Sequence, residues 1–268
     1  MTQISLNGST FVAQQCGWSP SADWDECVKA VNAYYHSPKT FAARFEEHLL
    51  NVKSLGYTAL DIWTAGQLNW RWATPEEIAT ARALLDEHKL TVTSLGNDFG
   101  DTREEFVAAC ELAVGVHTKL LSGACPVLKT ERAFVVEMLD KYDLRLGIEN
   151  HPEKSAQAML DQIGDGAHGR IGTTVDTGWY ATQAPDVVKT IEELGKHIFH
   201  IHLKDVLAGG PDLNVGLGKG IVPMKECIRA LQQTGYTGDY SVEIHSLDHD
   251  PTTEAREALP LVRGWLQS

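Results

Sequence analysis

Four polar residues stand where strand alternation would turn them toward a shared interior. Glu149 ends Leu146-Gly147-Ile148-Glu149, Asp176 ends Thr173-Thr174-Val175-Asp176, His202 follows Ile198-Phe199-His200-Ile201, and Glu243 ends Tyr240-Ser241-Val242-Glu243. The neighbours at odd spacing are apolar or small, so in a barrel strand these side chains face inward. A lone carboxylate buried there is costly, and its pKa rises. Four that share a divalent cation avoid that cost. Three carboxylates and one imidazole make a hard, mostly oxygen donor set, which favours Mn2+ or Mg2+, with Co2+ acceptable, over a thiolate-preferring zinc site. A ligand charge of about -3 against +2 leaves open positions for a bidentate polyol or keto-sugar. The alternative is four separate buried residues, each with local partners.

Other residues near these strand ends admit two readings each. His151 shares parity with Glu149 and could face a substrate as a second base, or could order the turn before Pro152. Trp63 and Trp179 could offer apolar faces to a sugar ring, or pack the top of a barrel. Lys204, two residues after His202, could hold an anionic substituent or pair with one of the carboxylates. His200, one layer deeper, reads as a core histidine with a partner. The stretch Gly216-Leu217-Gly218-Lys219-Gly220 reads as a turn before it reads as a phosphate cradle, and its spacing is wrong for a dinucleotide fingerprint.

The elements that must position these residues alternate, short β-branched runs with longer amphipathic ones. Strands are expected to begin near Thr10, Tyr57, Thr91, Thr118, Arg145, Ile171, Ile198 and Tyr240, with helices between them. Thr74 and Glu77, and Thr102 and Glu105, have capping-box spacing, and Pro75 suits an opening turn. Gly56 and Gly235 close helices ahead of strands. Eight such units without a Pro/Gly/Ser-rich linker predict one α/β domain over residues 1–268, a single (β/α)8 TIM barrel. Two connections are long, residues 17–40 with two Trp and two Tyr, and residues 206–222. Both fall on the face where such barrels build active sites, and the aromatics of the first can pack, bind, or do both.

Composition narrows the partners. The chain has 268 residues, 43% hydrophobic and 22% charged, with a formal net charge of -13. That field repels phosphate backbones and anionic lipid, so neither nucleic acid nor membrane is expected as a partner. The opening Met-Thr-Gln-Ile-Ser-Leu-Asn lacks the basic and apolar regions of a secretory leader, and no run nears the roughly 20 apolar residues of a membrane span. A cytoplasmic location is expected. Five scattered cysteines read as reduced thiols. Asn7-Gly8-Ser9 fits a glycosylation sequon, which carries no meaning without secretion.

The run from Glu149 to Glu243 resembles the xylose-isomerase-like barrel family of sugar isomerases and epimerases, with tagatose/psicose 3-epimerases, inosose dehydratase and endonuclease IV. Gly147-Ile148-Glu149-Asn150-His151-Pro152, Val175-Asp176-Thr177-Gly178, His200-Ile201-His202-Leu203-Lys204-Asp205 and Gly235-Tyr236-Thr237-Gly238 carry the resemblance. It implies that Glu149, Asp176, His202 and Glu243 ligate the metal, and that the two glutamates act as acid and base on either side of a small-molecule sugar or polyol. It also allows a homo-oligomer. The sequence departs from the epimerases and endonuclease IV at Trp179, where they carry His, and offers Asp212-Leu213-Asn214 where the endonuclease needs further ligands. The expected reaction is isomerisation or epimerisation by proton abstraction beside a carbonyl. A lyase or dehydratase expelling a β-leaving group, with His151 as acid, is the alternative, and a non-catalytic sugar- or metal-binding barrel is the second.

Overall fold

The computed structural model describes residues 2–184 and 186–268. Eight parallel strands close a barrel in the order β1 (Ile4–Asn7), β10 (Tyr240–Val242), β7 (Ile198–Leu203), β6 (Ile171–Asp176), β5 (Arg145–Glu149), β4 (Leu120–Ala124), β3 (Thr91–Asp98) and β2 (Ala59–Trp63). Between successive barrel strands run α2 (Phe41–Ser54), α3 (Pro75–His88), α4 (Arg103–Gly115), α5 (Leu128–Lys141), α6 (Ala156–Ile163), α8 (Val187–Leu194) and α9 (Met224–Gln233), and α10 (Thr252–Leu266) closes the ring. This is the (β/α)8 barrel that the repeating units predict. Pro185, in the stretch between the strands at Ile171 and Ile198 where a helix is expected, and Met1 lie outside the described residues. No helix among the described residues is long and apolar enough to cross a membrane.

Local chemistry explains most boundaries. Thr74 with Glu77 and Thr102 with Glu105 form reciprocal capping boxes at the starts of α3 and α4. Gly56 and Gly235 take the positive φ, 92° and 79°, that the turns into β2 and β10 require. Burial pushes the thiols of Cys110, Cys125 and Cys227 up to about 12, as befits reduced core cysteines.

The first strand is Ile4–Asn7 and not the run starting at Thr10. Thr10, Phe11, Val12 and Ala13 are buried and strand-like in type, yet they belong to a 3-10 turn, Gly8–Phe11, and the bend after it. Asn7 decides the matter, because its side-chain oxygen accepts from the Ser9 amide and ends the strand there. The 17–40 connection also holds a helix, α1 (Trp24–Tyr35), capped by Asp23 accepting from the Glu26 amide. Cys27, Val31 and Tyr35 bury one face of it at helical spacing, against Val12, Ala13, Trp63 and Ala65. This second apolar cluster sits beside the main core and holds the insert on the barrel.

The 206–222 connection is built around one carboxylate. Strands β8 (Asp205–Val206) and β9 (Asn214–Val215) pair antiparallel, and the amides of Gly218, Gly220 and Val222 all donate to Asp205 at 2.8–3.1 Å. A Cβ at Gly220 would lie 2.3 Å from Asp205 Oδ1, so the loop needs glycine there. Amides that a phosphate would require are already bonded to Asp205, and the glycine-rich stretch is the turn it was expected to be.

Candidate active site

Strand ends β5, β6, β7 and β10 bring Glu149, Asp176, His202 and Glu243 to one buried place at the barrel mouth. His202 Nδ1 lies 2.6 Å from Glu149 Oε1 and 3.0 Å from Glu243 Oε2. Asp176 serves two purposes through its two oxygens. Oδ1 accepts from the Gly178 and Trp179 amides at 2.8 and 3.0 Å and so caps α7 (Thr177–Gln183), a short helix that the sequence did not signal. Oδ2 is left buried without a hydrogen-bond donor. Asn150 clamps this strand end, donating to the Asp176 carbonyl and accepting from its amide.

Lys204 enters the same space with its ammonium 3.4 Å from Asp176 Oδ2 and 3.3 Å from Glu243 Oε1. Of its two sequence readings, the structure supplies carboxylate pairing. His151 places Nε2 3.9 Å from Glu149 Oε2 and its ring 5.0 Å from that of Trp179, on the edge of a cavity of about 610 Å3 that reaches Cys125, Lys129 and Gln162. Trp63 is 6% exposed and packs edge-on at 6.0 Å against Trp24 of the insert.

Four contributors escaped the sequence reading. Asn7 Nδ2 donates to Glu243 Oε2 at 3.0 Å, Asn7 Oδ1 accepts from the Ser9 hydroxyl, and that hydroxyl meets His245 Nε2 at 2.7 Å. His245 Nε2 in turn lies 3.2 Å from Glu243 Oε1. The Asn-Gly-Ser triplet is thus a structural clamp on Glu243. Below this level, Asp61 of β2 holds His200 Nε2 at 2.9 Å and stands 3.7 Å from His202 Nε2. His200 is therefore the partnered core histidine it was expected to be, and Asp61 sits behind His202 on the side away from the carboxylates. At that distance Asp61 makes no hydrogen bond to His202, whose Nε2 is buried without a partner.

The charges are strongly coupled. Burial works against ionisation of Glu243, but Lys204 and His202 more than offset it and hold the carboxyl well below the usual range. Glu149 is also held low, because His202 and His151 outweigh its burial. Asp176 goes the other way, lifted to about 6 by burial and the neighbouring glutamates against the pull of Lys204. Burial opposes a proton on His202 and on Lys204, yet the carboxylates around each raise both. Burial and Lys204 push His245 down to about 3.

These residues fit a divalent cation. Donor atoms of Glu149, His202 and Glu243 lie within 4.8 Å of one another, as do those of Glu149, His151 and Asp176. Asp176 Oδ2 accepts no hydrogen bond, and the Lys204 ammonium 3.4 Å away gives it a counter-charge while leaving the oxygen free to ligate.

A family model described as a xylose isomerase-like TIM barrel matches residues 49–265. An uncharacterized protein of Methanocaldococcus jannaschii is 26% identical over 117 residues, 41% of this chain and 40% of its own length. The L-ribulose-5-phosphate 3-epimerase UlaE of Escherichia coli is 36% identical over 73 residues, 27% of this chain and 24% of that protein. The chain thus matches less than half the length of either curated relative. Among solved structures, the D-psicose 3-epimerase of Clostridium cellulolyticum H10 with D-tagatose has a TM-score of 0.69 at 14% identity, covering 99% of both chains. The IOLI protein with a bound zinc atom has a TM-score of 0.69 at 16% identity, over 99% of this chain and 98% of that one. At such identities the likeness is one of fold.

Proposed function

The chain belongs to the xylose isomerase-like TIM barrel family, and from that premise we propose a divalent-metal-dependent sugar isomerase or epimerase that abstracts a proton beside the carbonyl of a keto-sugar. The observation that carries this reading is the approach of Glu149 and Glu243, from different strands, to the same His202 nitrogen at 2.6 and 3.0 Å. Glu149, Asp176, His202 and Glu243 would hold the ion, and three oxygens to one nitrogen favour Mn2+ over Mg2+ or Co2+. When bound, the ion supplies a positive centre that offsets the charge developing on the carbonyl oxygen.

The chain's own residues do the rest. One glutamate takes the proton from the carbon next to the carbonyl, and the other returns a proton to the adjoining position or the opposite face. Asn7 and Lys204 hold Glu243 in place, and Glu149 and Glu243 hold His202. Trp179 offers an apolar ring face at the rim, with Trp63 supporting the mouth through Trp24. Lys204 serves as a counter-charge to Asp176 and Glu243.

NMR in D2O with Mn2+-loaded protein and a panel of ketoses tests the reading. Deuterium should enter one carbon with carbon count and oxidation level retained, and Glu149→Gln and Glu243→Gln should abolish it. Full exchange by either variant would sink the proposal. The half-exposed His151 beside Glu149 favours a second reading, in which the same deprotonation is followed by protonation and loss of a β-leaving group. Release of water or an aglycone in the same NMR experiment would select it.

A further inference from the structure

Trp24, Leu207, Leu213 and Leu247 line a cavity of about 400 Å3 beside Glu243. Its shared wall with the site is His245, whose Nε2 is 3.2 Å from Glu243 Oε1 and whose ring is 5.0 Å from that of Trp24. Leu207 and Leu213 are 45% and 48% exposed, large aliphatic side chains facing water. Their backbone is tied, with the Leu207 amide donating to the Leu213 carbonyl at 2.8 Å and the loop root bonded to Asp205. Leucines held bare in a hollow next to a reacting carboxylate are stabilised by an apolar ligand that covers them. The volume lies within the roughly 300–1,000 Å3 of small-molecule sites. Asp212 and Asp248 also line it, and His249, the cation-forming group beside them, is held between Asp248 at 2.8 Å and Glu254 at 3.3 Å, so a phosphate or carboxylate group would meet net negative charge.

We infer that this cavity receives an apolar substituent, aryl or branched alkyl, attached to the sugar whose reacting carbon lies between Glu149 and Glu243. The inference rests on the proposed function for its sugar end and on the cavity for the other. It assigns the substrate to sugars bearing an apolar group, since a free monosaccharide would leave the leucines uncovered and a phosphate would meet the acidic lining.

Titration with 4-ethylphenol, followed by calorimetry and tryptophan fluorescence, reads the cavity without the sugar. Binding should saturate, weaken at least tenfold in the Leu207→Ser/Leu213→Ser double variant, and stay unchanged in Glu149→Gln. Phenyl phosphate should bind at least tenfold more weakly than 4-ethylphenol, and Asp212→Asn/Asp248→Asn should narrow that gap. For the ketose that exchanges deuterium, its phenyl ether at the terminal hydroxyl far from the carbonyl, which leaves the carbonyl free, should show kcat/KM at least tenfold above the corresponding methyl ether. No binding of 4-ethylphenol, equal binding by the double-serine variant, or a phenyl-to-methyl ratio near one overturns the inference. So does a wild-type dimer that the double-serine variant converts to monomer, because the leucines would then cover a second copy. If 4-ethylphenol binds as stated while no keto-sugar exchanges, the proposed function falls and the apolar cavity stands.

Discussion

The site contains the same short motif twice, Glu149-Asn150-His151 at the end of β5 and Glu243-Ile244-His245 after β10, and the two copies are held very differently. His245 is 16% exposed, fixed by the Ser9 hydroxyl and the Trp24 ring, and its glutamate is gripped by Asn7, Lys204 and His202 as well. His151 is 43% exposed and touches Glu149 at 3.9 Å, with Trp179 as its ring neighbour. One arm is built into the walls and the other stands at an open rim. Identical residue types at identical spacing therefore take their properties from what the first strand and the insert supply, which is a clamp on one side and nothing equivalent on the other. In the proposed reaction, a substrate would enter and leave past the adaptable arm.

The comparison breaks most visibly at the glutamates. Glu149→Gln and Glu243→Gln should each lower kcat by roughly a hundred- to ten-thousand-fold, read by deuterium exchange. Loss from one variant alone would show that the arms do not share the proton work. Next comes a histidine outside both arms, which sets the background against which their pH behaviour is read. His48 sits among Phe11, Tyr35 and Phe45, and burial pushes it down to about 4. The unfolded chain takes up this proton below about 6.5 and the folded one does not until about 4, so stability falls as pH drops through that window, by about 3 kcal/mol. His48→Leu should flatten this part of the acid limb in denaturant titrations. Mn2+ at a hundredfold excess over its Kd should add about 2.7 kcal/mol, a Tm rise of roughly 5–10 °C for a chain of this size, and Asp176→Asn should remove most of it. The smallest effects separate the arms directly. His245→Ala should cost about 1–2 kcal/mol by unpinning Ser9 and Glu243, whereas His151→Ala should stay within about 0.5 kcal/mol. Equal costs would mean that the clamp on Glu243 contributes nothing to stability.

Much of this was legible because burial and alternation leave marks. Glu149, Asp176 and His202 are polar residues in apolar strands, and a barrel has one inward place for them to meet. Asp61 carries the same mark in Ala59-Leu60-Asp61-Ile62-Trp63 and could have been read the same way. His245 was visible as a second Glu-x-His. Asn7 was not, because the buried Thr10–Ala13 run imitates a strand better than the four residues that form one, and the deciding bond from Ser9 to Asn7 is a local side-chain choice that periodicity does not register. The helix in the insert shows Cys27, Val31 and Tyr35 four residues apart, a period masked by the aromatics around it. Distances between arms, and the pairing of Lys204 with Asp176 and Glu243, depend on three-dimensional closure and have no one-dimensional trace.

Asp205 gathers the amides of Gly218, Gly220 and Val222, while the stretch from Leu207 to Leu213 is closed by its own backbone bond. The loop is therefore mechanically divided into a fixed root and an exchangeable tip. Mutations at the tip can accumulate without passing strain to the strand that carries His202. Under the proposed function, such a partition would let the tip change from substituent to substituent while Glu149, His202 and Glu243 stay in register.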